Sequence, residues 1–538
     1  MLFNSPEFIF AFLPITLAGF FLLGRFSRGV AFGWVVLASL GFYAWWNPIN
    51  VPIIAVSLAV NYAFARLIER LAAEPERTRA RLLLLIAGVA FNVLFLGYFK
   101  YFNFVESALN DLAGTDFVIV HIVLPLGISF ITFQKIAFLI DVHAGRIDKF
   151  TAAEFLLFVM FFPQLIAGPI VHFREMMPQF RANPVRFDGT AFAAGLTLFC
   201  IGLFKKVVLA DGIAAYVSPL YEQATAGTTM SFFPAWAAAI GFTLQIYFDF
   251  SGYSDMAIGA ARCFGVRLPL NFDSPLKATS IIDFWLRWHV TLTRFLTAYI
   301  YNPLVLALTR RRAKQGVALR GPHASVGSFL QLLAGPTLIT MFVSGVWHGA
   351  GWLFILWGLV HGGYLVVNHG WRAVMRKVWT DKASYARIMG PLGFVLTFVA
   401  VAAAMVLFRS TTGTAASGLL TGMVGGNGIS LPRGLLEPLG LVGVLPLVGV
   451  DEGGAFDFVF TWAWVGGLFL IATLLPNSLQ IMARYEPALD AQQRAGYATA
   501  GSHLEWRPTF SWAVAVSVVA ATAILRLSGE SEFLYWQF

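Results

Sequence analysis

Residues 343–352 read VSGVWHGAGW, and the histidine among them, His348, stands in a stretch from Gly321 to Trp371 that holds no Lys, Arg, Asp or Glu. An ionisable side chain in so apolar a setting is costly and is read first as functional. Imidazole has an ordinary pKa of ~6.5, which suits it to taking up a proton and giving it back near neutrality. Gly345, Gly349 and Gly351 surround it, and glycine lets backbone or ligand approach closely. Trp347 and Trp352 fit either as walls of a pocket or as members of an interfacial aromatic belt. Spacing alone leaves both readings open: a catalytic imidazole, or a belt histidine satisfied by water.

Two further clusters carry chemistry. In SIIDFWLRWHVTLTRFL, 280–296, helical spacing puts Asp283, Arg287 and Arg294 on one face, with Asp283 and Arg287 as an i,i+4 pair. Trp285, His289, Leu292 and Leu296 then form an apolar stripe on another face. A buried His289 needs a hydrogen-bond partner, and a structural core histidine is the competing reading. In LQIYFDFSGYSDMAIG, 244–259, Asp249 and Asp255 are six apart and do not share a helical face. Gly252 is a candidate break between them, and the cluster reads as a helix-packing network or a water-lined cavity wall. His361 and His369 are eight apart with no neighbouring Cys or carboxylate, a pattern that suits packing better than metal binding. No metal site is expected, and no bound cofactor. Nucleotide-loop, zinc and Ser-His-Asp signatures are missing. FWLRW is similar to the arginine-tryptophan motif of processive glycosyltransferases, but lacks its glutamine, and no DxD motif accompanies it.

The elements that hold these residues are set by composition. Of 538 residues, 58% are hydrophobic and 12% charged, and the mean hydropathy is +0.72. A soluble domain carries about 25% charged residues, so this chain is expected to be an all-α polytopic membrane protein, a single integral domain over 1–538. The net charge of +9 is explained by basic residues between spans, which mark cytoplasmic loops; nucleic acid is not an expected partner. Cys200 and Cys263 lie in apolar surroundings and read as small core hydrophobes rather than a disulfide. The opening MLFNSPEFIFAFLPITLAGFF lacks a basic n-region and a small-residue cleavage site and reads as a retained first span.

Apolar runs occur near 7–24, 29–46, 51–68, 81–99, 119–141, 151–172, 190–211, 231–260, 327–347, 350–371, 389–408, 457–475 and 509–526. No fixed-period repeat is visible. Basic clusters at Arg25/Arg28, Arg66–Arg81, Arg146/Lys149, 262–320 and 372–388 all demand the cytoplasmic side. They share that side only if one run does not cross. The run 151–172 is that exception: Phe162-Pro163 and Gly168-Pro169 break helices, and a re-entrant element buried in protein satisfies its backbone. About 11–13 transmembrane helices are expected, with twelve crossings and both termini outside. Acidic outer loops at 100–118, with Glu106, Asp111 and Asp116, and at 410–456, with Glu437, Asp451 and Glu452, agree.

The chain resembles the membrane-bound O-acyltransferase (MBOAT) superfamily, and within it the alginate O-acetyltransferases of bacteria. The matching stretches are MLFNSPEFIFAFLP, LPLGISFITFQKIAFLIDV, FFPQLIAGPIVHFREMMPQF, GLFKKVVLADGIA, the segment 247–296, VSGVWHGAGWLFILWGLVHG and the terminal FLYWQF. The resemblance implies that His348, in the WHG motif, is the catalytic residue and that His289, in the FWxxWH motif, is a second active-site residue. It implies an acetyl thioester donor, acetyl-CoA as co-substrate, a periplasmic acetyl carrier or transferase as partner protein, a polysaccharide as final acceptor, and residence in the lipid bilayer of the bacterial inner membrane. The residues that would hold coenzyme A are unknown; Arg310, Arg311, Arg312 and Lys314 are candidates that the positive-inside rule already explains. The family's LRDYLYIPLGGN is replaced here by LTAYIYNPLVLALTRRR, 296–312, which bears on the acceptor pathway more than on the chemistry. The rival classes are a transporter for a polysaccharide or lipid-linked precursor, which would show charged groups along a pore, and an export scaffold, in which His348 would be replaceable.

Overall fold

A computed structural model gives the architecture and describes residues 1–117, 122–182, 185–316, 321, 323, 325–442, 448–451, 453–489, 504–527 and 534. The start of the run 119–141, Arg320, Glu452 and, apart from Leu534, the terminal FLYWQF lie outside the described residues.

The chain is an all-α polytopic membrane protein. Among the described residues the extended structure amounts to one short parallel ladder, Ile429–Pro432 against Val448–Asp451, and an isolated bridge at Pro269–Leu489. Among the described residues, six helices are long and apolar enough to cross a membrane: Asn50–Leu71, Thr78–Ala113, Gly189–Thr225, Val326–His348, Lys382–Arg409 and Ala455–Leu474. Phe8–Gly24, Arg28–Ala44 and Phe510–Leu525 are shorter apolar helices. Phe232–Cys263 and Trp352–Val378 have the length, but polar side chains within them, such as Asp249 and Asp255 in the first and His361, Asn368 and His369 in the second, lower their hydropathy. Ile128–His143 underlies the run 119–141, so each apolar run has a helix beneath it, with one informative exception. The run 151–172 forms Ala152–Met160, capped by a Thr151/Glu154 box, then the single turn Phe162–Leu165, then irregular backbone to His172. Phe161 leaves the helical region at ψ 106 immediately before Phe162-Pro163, where proline restricts the chain.

The described residues group into two compact units. The first comprises Met1–Phe204, Gly252–Asn271 and Ser478–Gly529. Its core is aromatic, with Phe3, Phe8, Phe42 and Phe162 packed ring against ring. Thr78–Ala113 exposes Leu82, Leu83, Ile86, Val93 and Leu94, the side chains a helix would turn to lipid tails. Gly252 does not break the helix around it, contrary to its reading as a helix breaker. A Cβ on Gly202 would stand 2.6 Å from the Gly252 carbonyl oxygen, so the glycines serve close helix packing instead.

The second unit comprises Lys205–Ser251, Phe272–Asn477 and Glu530–Phe538 and contains both candidate histidines. Its central feature is the hairpin of Val326–His348 and Trp352–Val378. A Cβ on Gly345 would lie 2.4 Å from the Phe354 carbonyl oxygen, and one on Gly358 would lie 2.4 Å from that of Met341. The two backbones therefore touch, which only glycine permits at these positions.

Candidate functional site

His348 is the last residue of its helix. Gly349 and Gly351 run extended, at φ −160 and −173, before Trp352 starts the return helix. A Cβ on Gly349 would meet the Phe354 ring at 2.2 Å, so this glycine is required by the ring folded over it. The His348 imidazole is buried at 4% exposure. Trp347, Trp357 and Phe408 surround it edge-on, with ring centroids 5.0, 5.0 and 5.3 Å away. Of the two tryptophans flanking the motif, Trp347 is buried, whereas Trp352 is 69% exposed and does not line the space beside His348. The missing wall is Trp357, one and a half turns into the return helix.

His289 arrives from a different element. The segment 280–296 is not the continuous helix that its spacing suggests. It forms Ile281–Arg287 and Val290–Leu296, joined at Trp288 and His289. His289 holds φ 43, ψ 53, a left-handed conformation that is costly for a residue with a side chain and that clusters at functional sites. The break separates Arg294 from the Asp283–Arg287 pair, which closes at 2.8 Å. It also separates Trp285 from His289. Trp285 Nε1 donates instead to His361 Nδ1 at 3.3 Å, giving His361 the packing role its sequence context suggested. The benefit of the break is placement: His289 is fully buried, 4.8 Å from the Phe250 ring and 6.5 Å, centroid to centroid, from His348. Neither seven-residue helix is long enough to cross a bilayer. Burial pushes the His289 imidazole well below its ordinary value, to about 3, so the ring is held neutral.

Ile246, Phe250, Trp288, His348, Trp357, Met405 and Phe408 enclose a slot with room for about one water molecule. Trp357 Nε1 and Ser344 Oγ are buried and have no hydrogen-bond partner among the described residues. Ser344 is one turn before His348. The site thus holds two imidazoles and spare donors inside an aromatic wall.

Asp249 and Asp255 serve different partners, as their spacing required. Asp255 accepts from Ser478 Oγ at 2.6 Å in the first unit. Asp249, in the second, pairs with Lys206 at 2.7 Å, and Lys206 pairs with Asp211 at 2.7 Å. The Leu534 backbone adds a further hydrogen bond to Asp249. Lys206 lies in a π-helical stretch, Lys205–Ala210, inside the long helix Gly189–Thr225. Reading the sequence in clusters missed it, although a Lys-Lys pair in an otherwise apolar run was the available signal. Arg310, Arg311, Arg312 and Lys314 end the helix Asn302–Lys314; Arg312 donates to Gln331 and Ser328 at 2.8 and 3.0 Å. Cys200 and Cys263 are free thiols. Among the described residues, no three His, Cys, Asp or Glu side chains come together as a metal site would need.

The sequence that forms this site belongs to a chain similar to known proteins over most of its length. Residues 144–319 fit the pattern of MBOAT, the membrane-bound O-acyltransferase family, a span that includes His289 and ends before His348. The peptidoglycan O-acetyltransferase of Helicobacter pylori (strain ATCC 700392 / 26695) is 40% identical over 80% of this chain and 81% of its own. The chain belongs to the membrane-bound O-acyltransferase family. As a member it is an acyltransferase, with O-acetyltransferases among its relatives. The probable alginate O-acetylase AlgI of Pseudomonas aeruginosa is 36% identical over 76% of this chain and 72% of its own. The teichoic acid D-alanyltransferase of Streptococcus thermophilus is 28% identical over 53% of this chain and 68% of its own.

Proposed function

We propose that this acyltransferase moves an acetyl group from a cytoplasmic thioester, acetyl-CoA, to a hydroxyl on the far side of the bacterial inner membrane, for O-acetylation of a polysaccharide. The observation that carries this reading is the buried pair His348 and His289, 6.5 Å apart, with His348 lining a small aromatic-walled slot. The similarity to peptidoglycan and alginate O-acetylating proteins supports an exopolysaccharide or envelope glycan as the final acceptor, reached through a periplasmic carrier or transferase. The donor's coenzyme A would meet the chain from the face that carries the basic turns.

His348 acts as general base. It takes the proton of the acceptor hydroxyl as the oxygen adds to the thioester carbonyl. The tetrahedral oxyanion collapses with loss of the thiolate, which recovers the proton from the imidazolium, leaving an acetyl ester and a free thiol. Such proton transfer contributes typically ~10²–10⁴-fold. The neutral His289 orients the thioester or shares the proton. Trp357 Nε1 supplies a buried N–H for the developing oxyanion, a contribution of the kind that mutagenesis puts at ~10²–10³-fold elsewhere.

The test is turnover of labelled acetyl-CoA by the purified protein with its acceptor present. His348→Ala should lose acetyl transfer while keeping its helical content and its place in the membrane. Normal transfer by a folded His348→Ala protein would remove the base from the mechanism. Movement of glycan across vesicles without acetyl turnover would favour the transporter reading instead.

A further inference from the structure

Away from the histidines, the second unit carries a groove of about 800 Å³ between the helices Trp352–Val378 and Lys382–Arg409 and the segment 279–281. Most of its length is apolar, lined by Val367, Met389, Leu392, Leu396 and Ala400. One end is different. Arg372 lies there with Trp371, Tyr385 and Ser280. Trp371 Nε1 donates to the Tyr385 hydroxyl at 3.1 Å, and Arg372 Nη2 donates to Ser280 Oγ at 3.0 Å. A guanidinium has five N–H donors, so this bond leaves Arg372 further donors. The turn 372–388 adds Arg376, Lys377, Lys382 and Arg387 against one acid, Asp381, and Asp381 is engaged in capping its helix at Ala383 and Ser384.

Gly390 forms part of this groove, and a Cβ placed on it would meet nothing within 4 Å. Gly393, three residues on, does the opposite work: its Cβ would stand 2.4 Å from the Thr279 carbonyl oxygen, so it draws segment 279–281 against the helix. Pro391 sits between them inside the helix, where proline removes a backbone hydrogen bond and bends the axis.

We propose that this groove binds an anionic phospholipid of the bilayer, with its acyl chain along Leu392, Leu396 and Ala400 and its phosphate on Arg372. Charge complementarity selects this occupant. An apolar channel of this length suits a hydrocarbon chain, its polar end carries a guanidinium and a Trp–Tyr pair of the kind that settles at headgroup level, and basic pockets between spanning helices attract anionic headgroups. The lipid would also brace Ser280, whose hydroxyl accepts from the Asp283 amide at 3.2 Å and so caps the helix leading to His289.

The experiment uses the delipidated full-length protein in detergent. Binding is read by native mass spectrometry and thermal unfolding with phosphatidylglycerol, with phosphatidylcholine of the same chains, and with glycerol phosphate as a chain-free headgroup. Wild type should prefer phosphatidylglycerol over phosphatidylcholine by about fivefold or more, since one basic residue at a membrane surface is worth about that much. Arg372→Gln should erase most of that preference. Gly390→Leu, whose Cβ would meet nothing within 4 Å, should extend its side chain into the groove and lose both lipids while Arg372 remains. Equal binding of the two lipids by wild type, unchanged phosphatidylglycerol binding in Gly390→Leu, or glycerol phosphate binding as well as the intact lipid would each overturn the assignment. Circular dichroism and size-exclusion profiles confirm that both variants are folded.

Discussion

The crossing of Gly345 and Gly358 makes Gly345→Ala a sharp perturbation of the site. The added Cβ would stand 2.4 Å from the Phe354 carbonyl oxygen and 3.2 Å from the Gly358 Cα. Carbon–oxygen contacts settle near ~3.3 Å at their closest, so the two helices must part by about 0.9 Å, and both close neighbours are backbone atoms that cannot swing aside. Overpacking of this kind costs about 1–3 kcal/mol. His348 is one turn beyond Gly345, and Trp357 is adjacent to Gly358, so the parting moves the base and a wall of its slot relative to each other. A misplacement of about 1 Å can cost ~10²-fold in rate. Acetyl turnover and thermal unfolding are measured on wild type, Gly345→Ala and Gly363→Ala. Gly363 lies on the return helix with open space around its Cβ position, and alanine there should leave turnover intact and raise stability by up to ~1 kcal/mol. Wild-type turnover and unfolding temperature in Gly345→Ala would refute the reasoning, as would an equal loss in Gly363→Ala.

Lys206→Met leaves Asp211 and Asp249 without their shared ammonium; breaking a buried pair from one side costs about 3–5 kcal/mol. Thermal unfolding should show that loss and its substantial recovery when Asp211→Asn and Asp249→Asn are added, whereas no recovery would mean that Lys206 acts through packing alone. At His289, asparagine tolerates the left-handed backbone but is no proton carrier, and valine tolerates neither demand. His289→Asn should therefore fold and lose about 10²-fold or more of transfer, while His289→Val should also unfold at lower temperature; equal stability of the two would remove the backbone argument.

Much of the architecture is legible in the chain because burial in lipid writes a local signal. Each apolar run became a helix, and Phe161-Phe162-Pro163 interrupted the one run expected to be broken, since a proline's steric demands act on its immediate neighbours. His348 was visible for a similar reason: among the four histidines of the long uncharged stretch Gly321–Trp371, it is the one set among glycines and tryptophans, a pattern that needs no knowledge of contacts. The family's motifs added His289 to it.

What the sequence alone determined, then, is which segments are helical and apolar, and that His348 is anomalous within them. Only the tertiary structure decided that the segment 280–296 breaks at His289, that Trp285 pairs with His361, that Trp357 rather than Trp352 walls the slot, and that Lys206 joins Asp211 and Asp249. Periodicity assumes that a helix continues, and it cannot register a left-handed residue held in place by contacts with Phe250 and His348 from elsewhere in the chain. Hydropathy depends on the residues in a window, whereas a buried charge is tolerated because of a partner that folding brings to it across the chain.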